Sequence, residues 1–139
     1  MELKGQALLV YRDDGVFDEL RQALQSLGLE AVRVSNCKEL ESGLHDAGPF
    51  LTVFTEAKLP DGEWSDVCRI ASQPAVPLPV IMVAPVVDMG LYLDSMENGA
   101  SDFIVPPFLC TDIAYVLMTA VSDGLPRRLA VSQHAAGTA

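Results

Sequence analysis

Phe50-Leu51-Thr52-Val53-Phe54-Thr55-Glu56-Ala57-Lys58-Leu59-Pro60-Asp61 is the stretch on which the reading of this chain turns. Phe50 to Phe54 is short, apolar and rich in aromatic and β-branched residues, the composition of a buried strand. It runs into an acid, Glu56, and a proline follows four positions later. In open α/β sheets, binding and chemistry gather outside the carboxyl ends of the strands. Glu56 is therefore the first candidate functional residue.

Outward from this strand the chain alternates two hydrophobic periods. Ala7 to Tyr11 (ALLVY) and Val80 to Ala84 (VIMVA) are continuous apolar runs, as expected of strands buried on both faces. Glu30 to Val34 alternates as a second strand, and Phe103 to Val105 is a short fifth one. Between them, Val16, Leu20, Ala23, Leu24 and Leu27 recur at helical spacing, with Gly28 as a left-handed cap. Asn36 is the expected N-cap of a helix carrying Leu40 and Leu44, closed by Gly48-Pro49. Further helices are predicted over about 63–72, ended by Pro74, Pro77 and Pro79, over 88–98 with Gly99 as cap, and over 111–123. Five strand–helix repeats with short connections predict an α/β fold, a single doubly wound (βα)5 sandwich of five parallel strands covered on both faces. Residues 1–124 form the expected domain. Residues 125–139, rich in small residues and without periodicity, read as a flexible tail or the start of a linker.

Composition narrows the function classes. The chain has 139 residues, half of them hydrophobic, enough for one well-formed core. Nine Lys and Arg stand against nineteen Asp and Glu, a net charge of −10 that repels phosphate backbones and argues against nucleic-acid binding. No apolar run reaches the length of a membrane span, and no basic-then-apolar leader opens the chain, so a cytoplasmic location is expected. Cys37, Cys68 and Cys110 are widely spaced without a CxxC pair, so reduced thiols are expected rather than disulfides or zinc. His45 and His134 are isolated and suggest neither catalysis nor metal binding.

The order of elements, Gly28, Pro60, the Gly99-Ala100 pair and Val105-Pro106-Pro107-Phe108 together give the chain a resemblance to a known family. From about Leu8 to Val121 it resembles the receiver domain of response regulators, the chemotaxis-regulator-like phospho-acceptor module of bacterial two-component phosphorelays. The resemblance implies the flavodoxin-like strand order 2-1-3-4-5. It also implies a set of site positions, and this sequence departs from nearly all of them. Where the family carries two Mg²⁺-binding acids at the end of the first strand, Tyr11 and Arg12 stand, and Asp13 falls at a third, less critical acidic position. Glu56 holds the phospho-acceptor position, Ala84 replaces a Ser or Thr, and Pro106 replaces a lysine. Only the aromatic switch position is kept in kind, as Phe103. Reading Asp13 and Asp14 as the acidic pair requires a two-residue shift that the helical spacing of Val16, Leu20, Leu24 and Leu27 opposes. Asp14 is the expected cap of the first helix instead.

These substitutions imply a degenerate receiver, not an enzyme, without Mg²⁺ or other cofactor and without phosphorylation of Glu56. An Arg12–Glu56 ion pair is expected in the place of metal and phosphoryl group, against the alternative that both side chains face solvent. A built-in mimicry of the phosphorylated state by Glu56 is a weaker reading, since the partners that read such a charge are missing. The remaining function is protein interaction or dimerisation through the fourth-helix, fifth-strand and fifth-helix face. Val86, Val87, Leu91 and Tyr92 are candidates there, with Leu93 and Met96 assigned to the core, and Tyr115 and Met118 share a face of the last helix. Coverage of this face by a longer tail or a tilted helix is the competing reading. Trp64 is expected either to lid the pocket or to pack on the third helix, and Pro106-Pro107 to shape a turn, the family commonly having a cis bond there. Two other functions stay open: a working receiver that uses Mg²⁺ and an unusual acceptor such as Asp13, Asp14 or Asp61, and a flavodoxin-like nucleotide or flavin binder. The latter lacks a Ser/Thr/Gly-rich phosphate loop, since Arg12-Asp13-Asp14-Gly15 presents two carboxylates.

Overall fold

The computed structural model describes residues 5–46, 50–74 and 77–122. Seven strands and five helices follow one another as β1 (Gln6–Val10), α1 (Gly15–Ser26), β2 (Glu30–Val34), α2 (Cys37–Asp46), β3 (Phe50–Thr55), β4 (Lys58–Leu59), β5 (Gly62–Glu63), α3 (Trp64–Ala71), β6 (Val80–Val83), α4 (Met89–Glu97), β7 (Asp102–Ile104) and α5 (Cys110–Ser122). Five strands pair in parallel in the order β2-β1-β3-β6-β7. This is the expected doubly wound sheet. The numbering differs only because β4 and β5, an antiparallel two-residue hairpin turned at Pro60-Asp61, interrupt the third connection. Gly48-Pro49, Asp123 at the expected end of the last helix, the side chain of His45, His134 and the 125–139 tail lie outside the described residues.

Two apolar layers explain why the central strands are apolar without alternation. Leu9, Tyr11, Phe54, Ile81 and Val83 face Phe17, Leu20 and Leu24 of α1 and Ile113 and Leu117 of α5. On the other face, Leu8, Val10, Val53 and Val80 meet Leu40 of α2 and Val67 and Ile70 of α3. Both faces being covered, most positions of the central strands are apolar; the buried Thr52 and Thr55 of β3 donate their hydroxyls to the Pro79 and Glu56 carbonyls, each at 2.9 Å. A smaller cluster under α4 gathers Trp64, Met82 and Ala100 with Leu91, Met96 and Phe103. Trp64 is thus a packing residue of α3, the second of its two expected roles.

Helix starts follow local chemistry in three of the four cases where a cap was expected or is seen. Asn36 Oδ1 accepts from the Glu39 amide at 2.8 Å, and Glu39 reaches back to the Ser35 amide at 2.8 Å, a reciprocal capping arrangement. Asp66 accepts from the Glu63 amide in the corresponding box of α3. Asp88 Oδ1 takes the Leu91 amide at 3.1 Å. Asp14 departs from expectation. It occupies the cap position of α1 but already has helical dihedrals (φ −56°, ψ −53°), and its side chain makes no capping bond. A capping side chain needs extended backbone to fold back on the first turn. Gly28 and Gly99 close α1 and α4 at φ 89° and 113°, conformations that other residues adopt only at a cost.

Candidate functional site

Register brings the site positions to one edge. Val10 pairs with Thr55, Thr55 with Met82, and Val83 with Ile104. Beyond these pairs lie Tyr11, Glu56, Ala84 and the Val105–Pro106 segment, tied by Glu56 N–H to Val10 O (3.1 Å) and Ala84 N–H to Ile104 O (3.1 Å). The carboxyl edge of the sheet therefore collects every residue singled out in the pocket, in the order the strands dictate.

Tyr11 is wholly buried. Its ring stacks on Phe17 with centroids 4.3 Å apart and planes at 18°, and the Arg33 guanidinium lies 4.6 Å from the centroid, a cation–π contact. Arg21 of α1 donates to the Tyr11 hydroxyl. Arg33 also donates to the Arg12 carbonyl at 2.9 Å and, more weakly, to the Tyr11 carbonyl at 3.4 Å. An aromatic residue at this strand end thus recruits two arginines. Neither Arg21 nor Arg33 was legible as a site residue, because each lies on a different element and is brought to Tyr11 only by β1–β2 pairing and α1 packing.

The Arg12–Glu56 contact takes a different form from the expected ion pair. The backbone N–H of Arg12, not its guanidinium, donates to Glu56 Oε2. The guanidinium turns outward and meets its neighbour Asp13 at 3.5 Å, with both side chains largely exposed. The physical reason is desolvation. A guanidinium keeps its hydration beside Asp13, whereas the amide of Arg12, next to the strand path, points at β3 and needs an acceptor. Glu56 is half-buried and supplies it.

The remaining positions carry no polar handle toward the pocket. Ala84 is a buried methyl. Pro106 is half-buried, and the Pro106–Pro107 peptide is cis. Behind it, the Phe108 amide donates to Glu19 Oε2 of α1 at 2.9 Å, a strut that the sequence did not signal. Phe103 is half-buried with the Tyr92 ring edge-on at 5.7 Å and 81°. Asp61, one of the alternative acceptors, is bound to the start of α2: its carboxylate accepts from the Cys37 amide at 2.8 Å and the Lys38 amide at 3.1 Å. The Cys37 amide foremost holds the Asp61 carboxyl below its ordinary value of 3.8. Among the described residues, no three His, Cys, Asp or Glu side chains converge as a metal-holding group.

On the α4–β7–α5 side the apolar exposure differs in detail from expectation. Val86, Val87, Tyr115 and Met118 are exposed, together with Met89, Leu93, Leu109 and Val121. Leu91 and Tyr92 are half-buried, and Leu93, assigned to the core, faces out at 51 % exposure. Ser95 explains the phase. It is fully buried with its hydroxyl donating to the Tyr92 carbonyl at 3.1 Å, so the inward face of α4 runs through 91, 92, 95 and 96. A hydroxyl satisfied within its own helix is compatible with the core, and apolarity alone mis-sets the face. Among the described residues, no helix is long and apolar enough to cross a membrane.

Strand order and layer arrangement define the class: the flavodoxin-like receiver fold. The particular likenesses agree. A candidate response regulator from Chloroflexus aurantiacus matches with a TM-score of 0.76 and 22% identity, over 87% of this chain and 100% of that one. The receiver domain of a sensor histidine kinase from Pseudomonas aeruginosa, solved with a magnesium ion in its active-site cleft, matches with a TM-score of 0.72 and 15% identity over 87% and 100%. In sequence, the C4-dicarboxylate transport transcriptional regulatory protein DctD of Pseudomonas aeruginosa is 27% identical over 103 residues, 74% of this chain. The chain spans only 22% of that relative's length. No protein-family model matches the chain.

Proposed function

We propose that the chain acts as a receiver-type module of a two-component response regulator whose output is protein interaction independent of phosphorylation, without catalysis of its own. The observation that carries this reading is the engagement of Glu56 by the Arg12 backbone amide, beside Tyr11, Ala84 and Pro106. Phosphoryl transfer rests on positioning and on neutralising charge by metal and cation. Here the acceptor-position carboxylate already has a donor, the hydroxyl and lysine positions are a methyl and a pyrrolidine ring, and the first-strand acid is an aromatic ring facing Arg21.

The donor set does not fit Mg²⁺. That ion takes near-octahedral oxygen ligands at about 2.1 Å, while Glu56 and Asp13 are each engaged by Arg12 and the guanidinium itself repels a cation. Incubation with acetyl phosphate and Mg²⁺, followed by intact mass, tests the reading. The expected result is no added phosphoryl mass. A phosphoryl adduct that disappears in Glu56→Gln or Asp13→Asn overturns it and favours the working-receiver alternative.

Exposed apolar residues support the output surface. Val86, Val87, Met89 and Leu93 at the α4 side and Tyr115 and Met118 on α5 flank β7. Apolar surface of this kind, rimmed by charge such as Asp88, Asp94 and Asp112, suits a protein partner or a second copy.

A further inference from the structure

We propose that Arg21 and Arg33, arranged around Tyr11, form a binding site for an isolated oxyanion, a phosphate or carboxylate group. The two guanidinium carbons lie 5.9 and 4.6 Å from one ring centroid. In a chain with nineteen acids to nine bases, cations ordinarily find carboxylates, yet among the described residues neither arginine makes an ion pair. Arg21 donates to the Tyr11 hydroxyl, and its Nε is buried without a hydrogen-bond partner. Arg33 donates one Nη2 to the carbonyls of Tyr11 and Arg12, which leaves donors of its five-N–H fork unused.

An oxyanion supplies acceptors in the geometry a guanidinium fork matches, and the exposed Arg33 has N–H groups beyond its Nη2 to offer one. The base on which both heads rest is rigid, because Tyr11 is wholly buried and stacked on Phe17. Binding therefore orders little that is not already ordered. Charge selects the size of the ligand. The chain carries −10, and Asp13 and Asp14 are exposed on the adjoining loop, so extended polyanions are repelled while a single oxyanionic group can approach. The site adjoins the Glu56 contact through Arg12, whose carbonyl accepts from Arg33 and whose amide donates to Glu56, but it does not depend on how the phospho-acceptor position is read.

Titration of the ¹⁵N-labelled chain with sodium phosphate, and separately with sodium acetate, at ionic strength held constant with chloride, tests the proposal. The expected result is saturable NMR shifts confined to Tyr11, Arg12, Arg21 and Arg33, including the arginine Nε–H signals. Affinity falls at least tenfold in Arg33→Gln and is unchanged in Arg69→Gln, whose residue lies on α3 beside Asp66. Arg33 is exposed, so this variant keeps the fold, and its amide dispersion verifies that. Tighter binding of phosphate assigns a phosphate-bearing ligand, and tighter binding of acetate a carboxylate-bearing one. No saturation with either salt, or equal responses in wild type and Arg33→Gln, overturns the proposal.

Discussion

Tyr11 carries more of the local structure than any other pocket residue. Its ring lies in the apolar layer between the sheet and α1, while its hydroxyl engages Arg21. Tyr11→Phe removes the hydroxyl's bond and is expected to cost about 1 kcal/mol. Tyr11→Ala also opens a cavity under Phe17 and releases Arg33, with an expected loss of about 3–5 kcal/mol. Urea unfolding of the two variants checks both values. The three thiols separate by environment. Burial first, then the charges of Asp61 and Asp66, pushes Cys37 up to about 11, and burial pushes Cys68 up to about 11, whereas Cys110 is exposed. Since the thiolate is the reactive form, a thiol reagent at neutral pH is expected to label Cys110 first, as peptide mapping reads directly.

The connection between β3 and α3 is the element that carries most of the unforeseen structure. The turn at Pro60-Asp61 folds Lys58–Leu59 against Gly62–Glu63 and delivers Asp61 to the start of α2. A Cβ at Gly62 would come within 2.6 Å of Asp66 Oδ2 and 3.1 Å of Cys37 Sγ, so a side chain there displaces the carboxylate that bonds the Glu63 amide. Asp61 thus caps a helix remote in sequence, and Asp61→Ala is expected to destabilise the fold by about 1 kcal/mol. Because its carboxyl lies lower in the folded than the unfolded chain, its contribution is complete above the ordinary value of 3.8 and is lost as pH falls through the folded value below it. Asp61→Asn retains a capping oxygen but no charge. The stability difference between wild type and Asp61→Asn is therefore expected to shrink on acidification below about pH 4, which thermal melts across acid pH measure.

At the scale of the whole molecule, the exposed apolar residues flank one sheet edge, so the proposed output is an association. If the α4–β7–α5 face pairs two copies or holds a partner, Met89→Asp and Tyr115→Asp weaken it, because each puts a charge into apolar contact. Light scattering with size exclusion is expected to show a smaller assembly for these variants than for wild type, with unchanged circular dichroism. Equal masses across concentration in wild type and variants remove self-association and leave a heterologous partner.

Strand and helix order was readable because it rests on periodicity. The runs at 7–11 and 80–84 are apolar throughout since both faces of the sheet are covered, and Asn36, Gly28 and Gly99 mark helix ends by local chemistry. The pocket positions were readable for the same reason, as they follow strand ends. Contacts between distant residues were not. Glu56 met an amide instead of a guanidinium, Leu93 faced outward while Ser95 went in, and Arg21, Arg33, Glu19 and Asp61 found partners on other elements. Periodicity and caps are properties of a few neighbouring residues. Where a long polar side chain ends is settled by desolvation and by which acceptors the folded chain leaves open, and those exist only once the sheet and its helices have come together.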